Sequence, residues 1–142
     1  MSRKKLLDER SWRLPDQLTR ADQLQAAIAV LKQEIQQIQA SGDVAPPGCR
    51  VMRYQVKTKT GKYWYYKLQA LEPIFPTRQG DGKLSKYKHL GKAGSPAQIS
   101  AVFQVAKRNQ ILELQRAINS LSESWLEVVF ESEKDSEKAK SK

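Results

Sequence analysis

The sequence is short of the residues that most metal sites and many catalytic sites use. Its 142 residues include one cysteine, Cys49, and one histidine, His89. A structural zinc ion usually takes four thiolate or imidazole ligands, so a self-contained zinc site is excluded. A single cysteine also excludes an internal disulfide and favours a reduced setting. A nucleophilic Cys49–His89 pair would need a third, orienting residue, and none stands out.

A long hydrophobic run is also missing from the sequence. No stretch of about 18 apolar residues occurs, so no transmembrane helix is expected. The first residues, MSRKKLLDERSWR, are basic but lack the apolar stretch of a secretory signal. These features predict a cytoplasmic, nucleoid-associated protein.

Acidic residues are scarce in the central third of the chain. Between Arg50 and Gly94 there are eleven lysines and arginines but only Glu72 and Asp81 on the acidic side, so most of the net charge of +10 falls here. Paired carboxylates for acid–base or two-metal catalysis are missing from this segment. No P-loop or G-x-G-x-x-G motif occurs. We therefore expect a non-enzymatic protein without cofactors.

The segregation of the charge points to a polyanionic partner. Concentrated positive charge attracts polyanions and supplies contacts to phosphates. A basic surface that serves only solubility is the alternative, but solubility would not require the charge to be gathered in one segment.

The N-terminal part has the pattern of an amphipathic helix. Apolar residues recur every three or four positions from Leu14 to Ile38, and Pro15 suits a first helical position. The stripe forms three heptads of the kind found in coiled coils. It can pair two chains in a homodimer or pack on its own domain, and the sequence leaves both open.

The basic segment has the alternation of a β-hairpin. Residues 50–57 (RVMRYQVK) and 62–71 (KYWYYKLQAL) alternate as half-buried strands around a glycine-containing turn at 58–61. In the first strand Met52, Tyr54 and Val56 are the apolar side, which we expect to face the core. A third strand is expected at 83–91, with its inward face ambiguous.

The second strand carries four adjacent aromatic residues, which cannot all face one core. Leu68 belongs to the register of Trp64 and Tyr66, so these two rings are predicted to face inwards. Tyr63 and Tyr65 would then face outwards, beside the polar residues of the first strand. Antiparallel strands with one solvated face fit this pattern.

The expected class is α+β, with an N-terminal coiled-coil-like helix, a three-stranded antiparallel sheet and a long C-terminal helix that packs on both. Ser95 and Pro96 have the residue types of an N-cap and first helical position for that last helix. The predicted divisions are a flexible basic arm at 1–13, the amphipathic helix at 14–41, a linker at 42–49, the basic sheet and helix at 50–130, and a disordered charged tail at 131–142.

The predicted site is the outward, basic and aromatic face of the sheet. Arginine and lysine can contact guanine edges or phosphates, and glutamine can pair with adenine. Tyrosine can bind phosphates or stack on unpaired bases, although cross-strand packing with lysine stems would also explain it. The predicted nucleic-acid-binding residues are Arg53, Gln55, Lys57, Lys59, Lys62, Tyr63, Tyr65, Lys67, Lys86, Lys88 and Lys92.

Three segments resemble the arm-type DNA-binding domain of tyrosine recombinases, which is similar to the plant APETALA-type fold. They are GKYWYYKLQ (61–69), KYKHLGK (86–92) and the helix start SPAQISAVF, within a likeness that covers residues 50–110. It implies a three-stranded sheet in the major groove with a helix behind it. The contacts that it implies come from Arg53, Gln55, Lys57, Tyr63, Tyr65 and Lys67.

Two departures from that family qualify what the resemblance implies. The segment EPIFPTRQGDG is long for the family, and no catalytic domain follows the likeness. The resemblance therefore implies a free-standing binding module and not a recombinase.

Double-stranded DNA is the expected partner, bound by a regulator or a mobile-element accessory factor. Two copies would imply a symmetric site with two half-sites. The alternatives are binding of RNA or a single strand through stacked tyrosines, and a coiled-coil adaptor whose basic sheet docks an acidic protein. No membrane partner is expected.

Overall fold

The computed structural model describes residues 2–131, with side chains from Pro15 onwards. The elements are α1 (Ser2–Ala40), β1 (Arg50–Thr58), β2 (Gly61–Gln69), β3 (Phe75–Pro76), β4 (Leu84–Ser85), β5 (Tyr87–Gly91) and α2 (Pro96–Val129). One antiparallel sheet has the order β1-β2-β5, and β3 pairs with β4. The predicted α+β class, with its three-stranded antiparallel sheet, is confirmed.

One element boundary differs from that expected. Helix α1 begins at Ser2, so no break separates the predicted arm at 1–13 from the helix predicted from residue 14, and Pro15 lies inside α1. The residues before Pro15 (KKLLDERSWRL) include many good helix formers, so the helix continues on the N-terminal side of the proline. The tail predicted at 131–142 lies outside the described residues except for Glu131.

The chain divides into two compact units. The first joins α1 up to Gln37 with the described chain from Glu113 to Glu131. Gln17 Nε2 donates to the carbonyl oxygen of Val128 at 2.7 Å, and Val128 is buried. The half-buried Ile28 of the α1 stripe borders the same shallow cleft as α2 residue Trp125. The α1 stripe thus lies against α2 of its own chain, one of the two arrangements that the sequence left open.

An ion pair adds to the same helix pair. The Arg20 guanidinium contacts the Glu131 carboxylate through two hydrogen bonds, at 3.0 and 2.7 Å. These bonds hold the pKa of Glu131 below its usual value and raise the pKa of Arg20. Both side chains are more than 40% exposed, so solvent screens the pair and its contribution to stability is small.

The second unit, residues 38–112, contains the sheet and the first half of α2. Its core is small and lies where α2 crosses the paired ends of β2 and β5. The buried residues of this core are Ala45, Cys49, Leu68, Ala70, Leu90 and Ala101. Burial also raises the pKa of the Cys49 thiol by desolvating the thiolate.

The start of α2 is fastened to the end of β5. Ser95 Oγ accepts a hydrogen bond from the Gln98 backbone N–H at 3.1 Å and donates one to the Leu90 carbonyl at 2.6 Å. Ser95 is therefore the N-cap predicted from the sequence. Because its hydroxyl also bonds to β5, this cap sets the position of α2 on the sheet.

Arg108 holds the segment between α1 and β1 against α2. Its Nη1 donates to the carbonyl oxygens of Pro46 and Cys49. We expect Arg108→Ala to lower the free energy of unfolding by about 1.5–3 kcal/mol, since the two carbonyls lose a charged donor. The measurement is a denaturant titration.

A matched control for this prediction lies further along α2. Arg116 bonds to Glu113 with its side chain 73% exposed, so Arg116→Ala makes the same change in the same helix at a solvated site. It should shift stability by about 0.5 kcal/mol at most. Equal losses in the two variants would contradict the role given to Arg108.

Candidate functional site

The β1–β2 hairpin extends beyond the three-stranded part of the sheet. β1 and β2 pair from Arg50↔Gln69 to Thr58↔Gly61, whereas β5 pairs with β2 only from Tyr66 to Gln69. Residues 54–65 therefore form a two-stranded ribbon, which we call the ribbon. Its small width follows from having two strands about 4.8 Å apart.

Cross-strand register sorts the side chains onto two faces, because residues directly opposite each other share a face. The helix-side face holds Leu68 of the core. The other face, which we call the open face, holds the pairs Tyr54↔Tyr65 and Lys67↔His89. The basic and aromatic residues of the open face are Tyr54, Tyr63, Tyr65, Lys67, Tyr87 and His89.

The register divides the predicted site between the two faces. Arg53, Gln55 and Lys57 were expected beside Tyr63 and Tyr65, and this prediction is wrong: Arg53 lies opposite Tyr66, Gln55 opposite Trp64 and Lys57 opposite Lys62. All of these lie on the helix-side face. The predicted turn at 58–61 already contained the signal, since it places Lys57 opposite Lys62 and so on the same face.

The assignment of Met52, Tyr54 and Val56 to the core side fails for the same reason. Their partners are Lys67, Tyr65 and Tyr63, so all three lie on the open face. Alternation separated the two sides of β1 correctly but did not identify which side faces the core.

Trp64 was expected in the core, and the structure places it outside. Its side chain is 47% exposed, and the Arg53 guanidinium lies 4.3 Å from the centre of its ring. The core covers the end of β2 that holds Leu68, and the ribbon extends past it. Tyr66, one pair closer, does pack against the core.

The remaining predicted lysines occupy several positions. Lys59 lies in the turn of the ribbon, and Lys62 lies on the helix-side face. Lys86 falls between β4 and β5, where its carbonyl accepts a hydrogen bond from the Ala70 N–H at 2.7 Å. Lys88 lies opposite Leu68, exposed at the sheet edge. The strand predicted at 83–91 is thus broken at Lys86.

Lysine ammonium groups lie over tyrosine rings on the open face. Lys67 Nζ is 4.2 Å from the centre of the Tyr87 ring and 5.0 Å from that of Tyr54. Lys92 Nζ lies 5.2 Å from the Tyr63 ring and 6.0 Å from the Tyr65 ring. These are cation–π distances, which hold the lysines at the surface without a carboxylate partner.

His89 completes the row of polar aromatic groups. A hydrogen bond of 2.8 Å joins Tyr54 Oη and His89 Nδ1. The centres of the Tyr54 and Tyr65 rings are 6.1 Å apart, and the centres of Tyr54 and His89 are 6.0 Å apart. The three rings form a continuous aromatic surface across all three strands.

Carboxylates do not neutralise this surface. Among the side chains that the structure describes, no ion pair involves a basic residue between 50 and 94. Asp81 accepts hydrogen bonds at 3.1 Å from Thr77 Oγ1 and from the Lys83 N–H, so it serves its own loop. The positive charge is left for anions from solution.

The segment 72–82, which is long for the arm-type family, contributes a residue to the open face. Arg78, between β3 and β4, borders two clefts of about 610 and 530 Å³. Both clefts are also lined by Tyr54 and His89. Local sequence gave no signal for Arg78, because only the pairing of β3 with β4 brings it there.

Tyr54, Tyr87 and His89 are the other residues of the open face that the predicted site omitted.

Comparisons of the chain with protein-family models, curated proteins and solved structures give no match. No group of three or more metal-ligating side chains occurs in the described part of the chain. The same part contains no helix long and apolar enough to cross a membrane.

Proposed function

We propose that this protein binds double-stranded DNA without catalysis, through the ribbon and the open face. The observation that carries the proposal is the row of tyrosine rings and lysine ammonium groups on the open face, which no carboxylate neutralises. A regulator or a mobile-element accessory factor is the role that such a module would serve.

The dimensions of the ribbon support this mode of binding. The major groove of B-DNA is about 12 Å wide and admits a two-stranded ribbon. Tyr63 and Tyr65 would enter with their hydroxyls towards base edges or phosphates, and Lys92 would accompany them. Lys57, Lys59 and Lys62 at the ribbon end would reach the flanking phosphates.

The resemblance to arm-type domains supports the same orientation. There the sheet enters the groove and the helix lies behind it, and here α2 packs on the face opposite Tyr63, Tyr65 and Lys67. Arg53, Gln55 and Lys57, which the resemblance also implied as contacts, lie on the helix-side face, where they would meet phosphates at the groove edge.

The proposal requires only one copy of the chain. The heptad stripe, which could also pair two chains in a homodimer, lies against α2 of the same chain. Dimerisation stays a prediction, to be measured by light scattering on the full chain.

Alanine substitutions on the two opposite faces of the ribbon test the proposal. We expect Tyr63→Ala combined with Tyr65→Ala to weaken duplex binding by about tenfold or more, because each tyrosine supplies a hydrogen bond to a phosphate or base edge worth about 1 kcal/mol. Trp64→Ala, the matched change on the helix-side face, should leave affinity within about threefold. Fluorescence anisotropy with labelled duplex, single strand and RNA measures the effect.

A pair of milder variants separates the contributions of rings and hydroxyls. Tyr63→Phe with Tyr65→Phe keeps the rings and the cross-strand packing while removing two hydroxyls. A large loss of duplex affinity in this variant indicates hydrogen bonds from the hydroxyls to phosphates or base edges, and a small loss indicates that the rings contribute through apolar contacts. If Trp64→Ala weakens binding more than the tyrosine changes, the assignment of the open face is wrong.

A further inference from the structure

The larger cleft lies where the ribbon meets the three-stranded sheet. Residues 76–79 and Ser85 of the β3–β4 hairpin line one part, and residues of β1, β2 and β5 line the rest. Its volume of about 610 Å³ is within the range of small-ligand sites. All of its lining residues belong to one compact unit.

The charge of the cleft favours an anion. Lys67 of the open face and Arg78 line it, and no acidic residue does. The nearest carboxylate along the chain, Asp81, is engaged by Thr77 Oγ1 and the Lys83 N–H. Like charges gathered without a counter-charge attract a phosphate group.

The rings of the cleft favour a flat partner. Tyr54 and Tyr87 lie on either side of the Lys67 ammonium group, at 5.0 and 4.2 Å from it. Aromatic side chains next to cations are the groups on which unpaired bases stack. A base inside a duplex is already stacked on its neighbours, so only an unpaired base can offer a face to these rings.

The cleft is continuous with the duplex-binding surface. Tyr54, Arg78 and His89 also line the second cleft, which includes Val56 and Tyr65 of the ribbon. A strand that leaves a duplex held by the ribbon would therefore pass from Tyr65 over Tyr54 into the larger cleft.

We propose that the larger cleft binds an unpaired nucleotide of a nucleic-acid strand, so that the preferred ligand is a duplex with an adjoining unpaired segment. This inference rests on the proposed function and adds which form of DNA the protein prefers, a duplex next to an unpaired segment. The base stacks on Tyr87 or Tyr54, and Arg78 and Lys67 hold its phosphate.

The test compares a blunt duplex with the same duplex carrying a short unpaired extension. The full chain should bind the extended duplex about tenfold more tightly, the value of one stacked base. Arg78→Ala and Tyr87→Ala should each bring the ratio of extended-duplex to blunt-duplex affinity down from about ten towards one, whatever they do to the blunt-duplex affinity itself. Lys83→Ala removes the same charge from the same hairpin outside the cleft and should keep the gain.

The remaining outcomes separate this inference from the proposed function. Equal affinity for blunt and extended duplex would overturn the cleft site and leave the proposed duplex binding unaffected. The same holds if Arg78→Ala and Lys83→Ala reduce the gain from the extension equally. If the chain binds a single strand but not the blunt duplex, and Arg78→Ala abolishes that binding, the cleft site holds and the proposed duplex recognition is wrong. Excess adenosine monophosphate, which offers the same base and phosphate, should compete for the cleft and abolish the gain at concentrations that leave blunt-duplex binding unchanged.

Discussion

The affinity of the full chain for duplex DNA is expected to fall about a thousandfold or more when salt is raised from about 50 to about 200 mM. This magnitude corresponds to about six phosphate contacts, each of which releases a condensed counterion. The ribbon and open face offer enough cations, and no described carboxylate pairs with them. Anisotropy titrations at several salt concentrations give the slope.

Substitutions at the end of the ribbon refine this measurement. Lys57→Gln with Lys62→Gln should reduce the magnitude of the slope by about two, since each lysine that contacts a phosphate contributes about one. Lys32→Gln, an exposed lysine of α1, should leave the slope unchanged. An absence of duplex binding at low salt would favour the adaptor hypothesis, in which the basic face docks an acidic protein.

Leu68→Ala is expected to lower the free energy of unfolding by about 2–5 kcal/mol. Leu68 is 3% exposed and lies in the core cluster with Leu90 and Ala101, so the shorter side chain leaves a cavity between the sheet and α2. Since this core is small, few neighbours can relax to fill the space. The measurement is the midpoint of a denaturant titration at unchanged slope.

A second leucine, three positions further along the chain, controls for the change of residue type. Leu71 is 75% exposed, so Leu71→Ala should change stability by about 0.5 kcal/mol or less. Similar losses at Leu68 and Leu71 would show that the sheet packs on α2 through other residues. The faces assigned to the ribbon would then be wrong as well.

The errors in the predicted site come from register and not from strand prediction. The strands, the turn and the inward direction of Leu68 followed from local alternation. The two-residue turn at Lys59 and Thr60 makes even-numbered residues of β1 share a face with odd-numbered residues of β2. The predicted site put Arg53 and Tyr63 on one face, which this relation does not allow. The error arose because the apolar side of β1 was taken to be the side that faces the core.

The tyrosines explain why the apolar side of β1 is not the side that faces the core. A face of Tyr54, Tyr63 and Tyr65 is as apolar in composition as a core face, and the three side chains are half-buried even though α2 packs on the other face. Only the position of α2, fastened to β5 through Ser95, shows which face is covered. Which of the two faces α2 covers therefore had to come from the packing.

The sequence by itself determined the segregation of positive charge, the hairpin, the N-cap of α2 and the heptad stripe of α1. Each of these depends on residues close together in the chain, through charge, alternation or capping. The tertiary structure decided which face of the sheet is open, that Arg78 joins it, and that α2 covers the stripe. These depend on contacts between residues far apart in sequence, which local patterns do not specify.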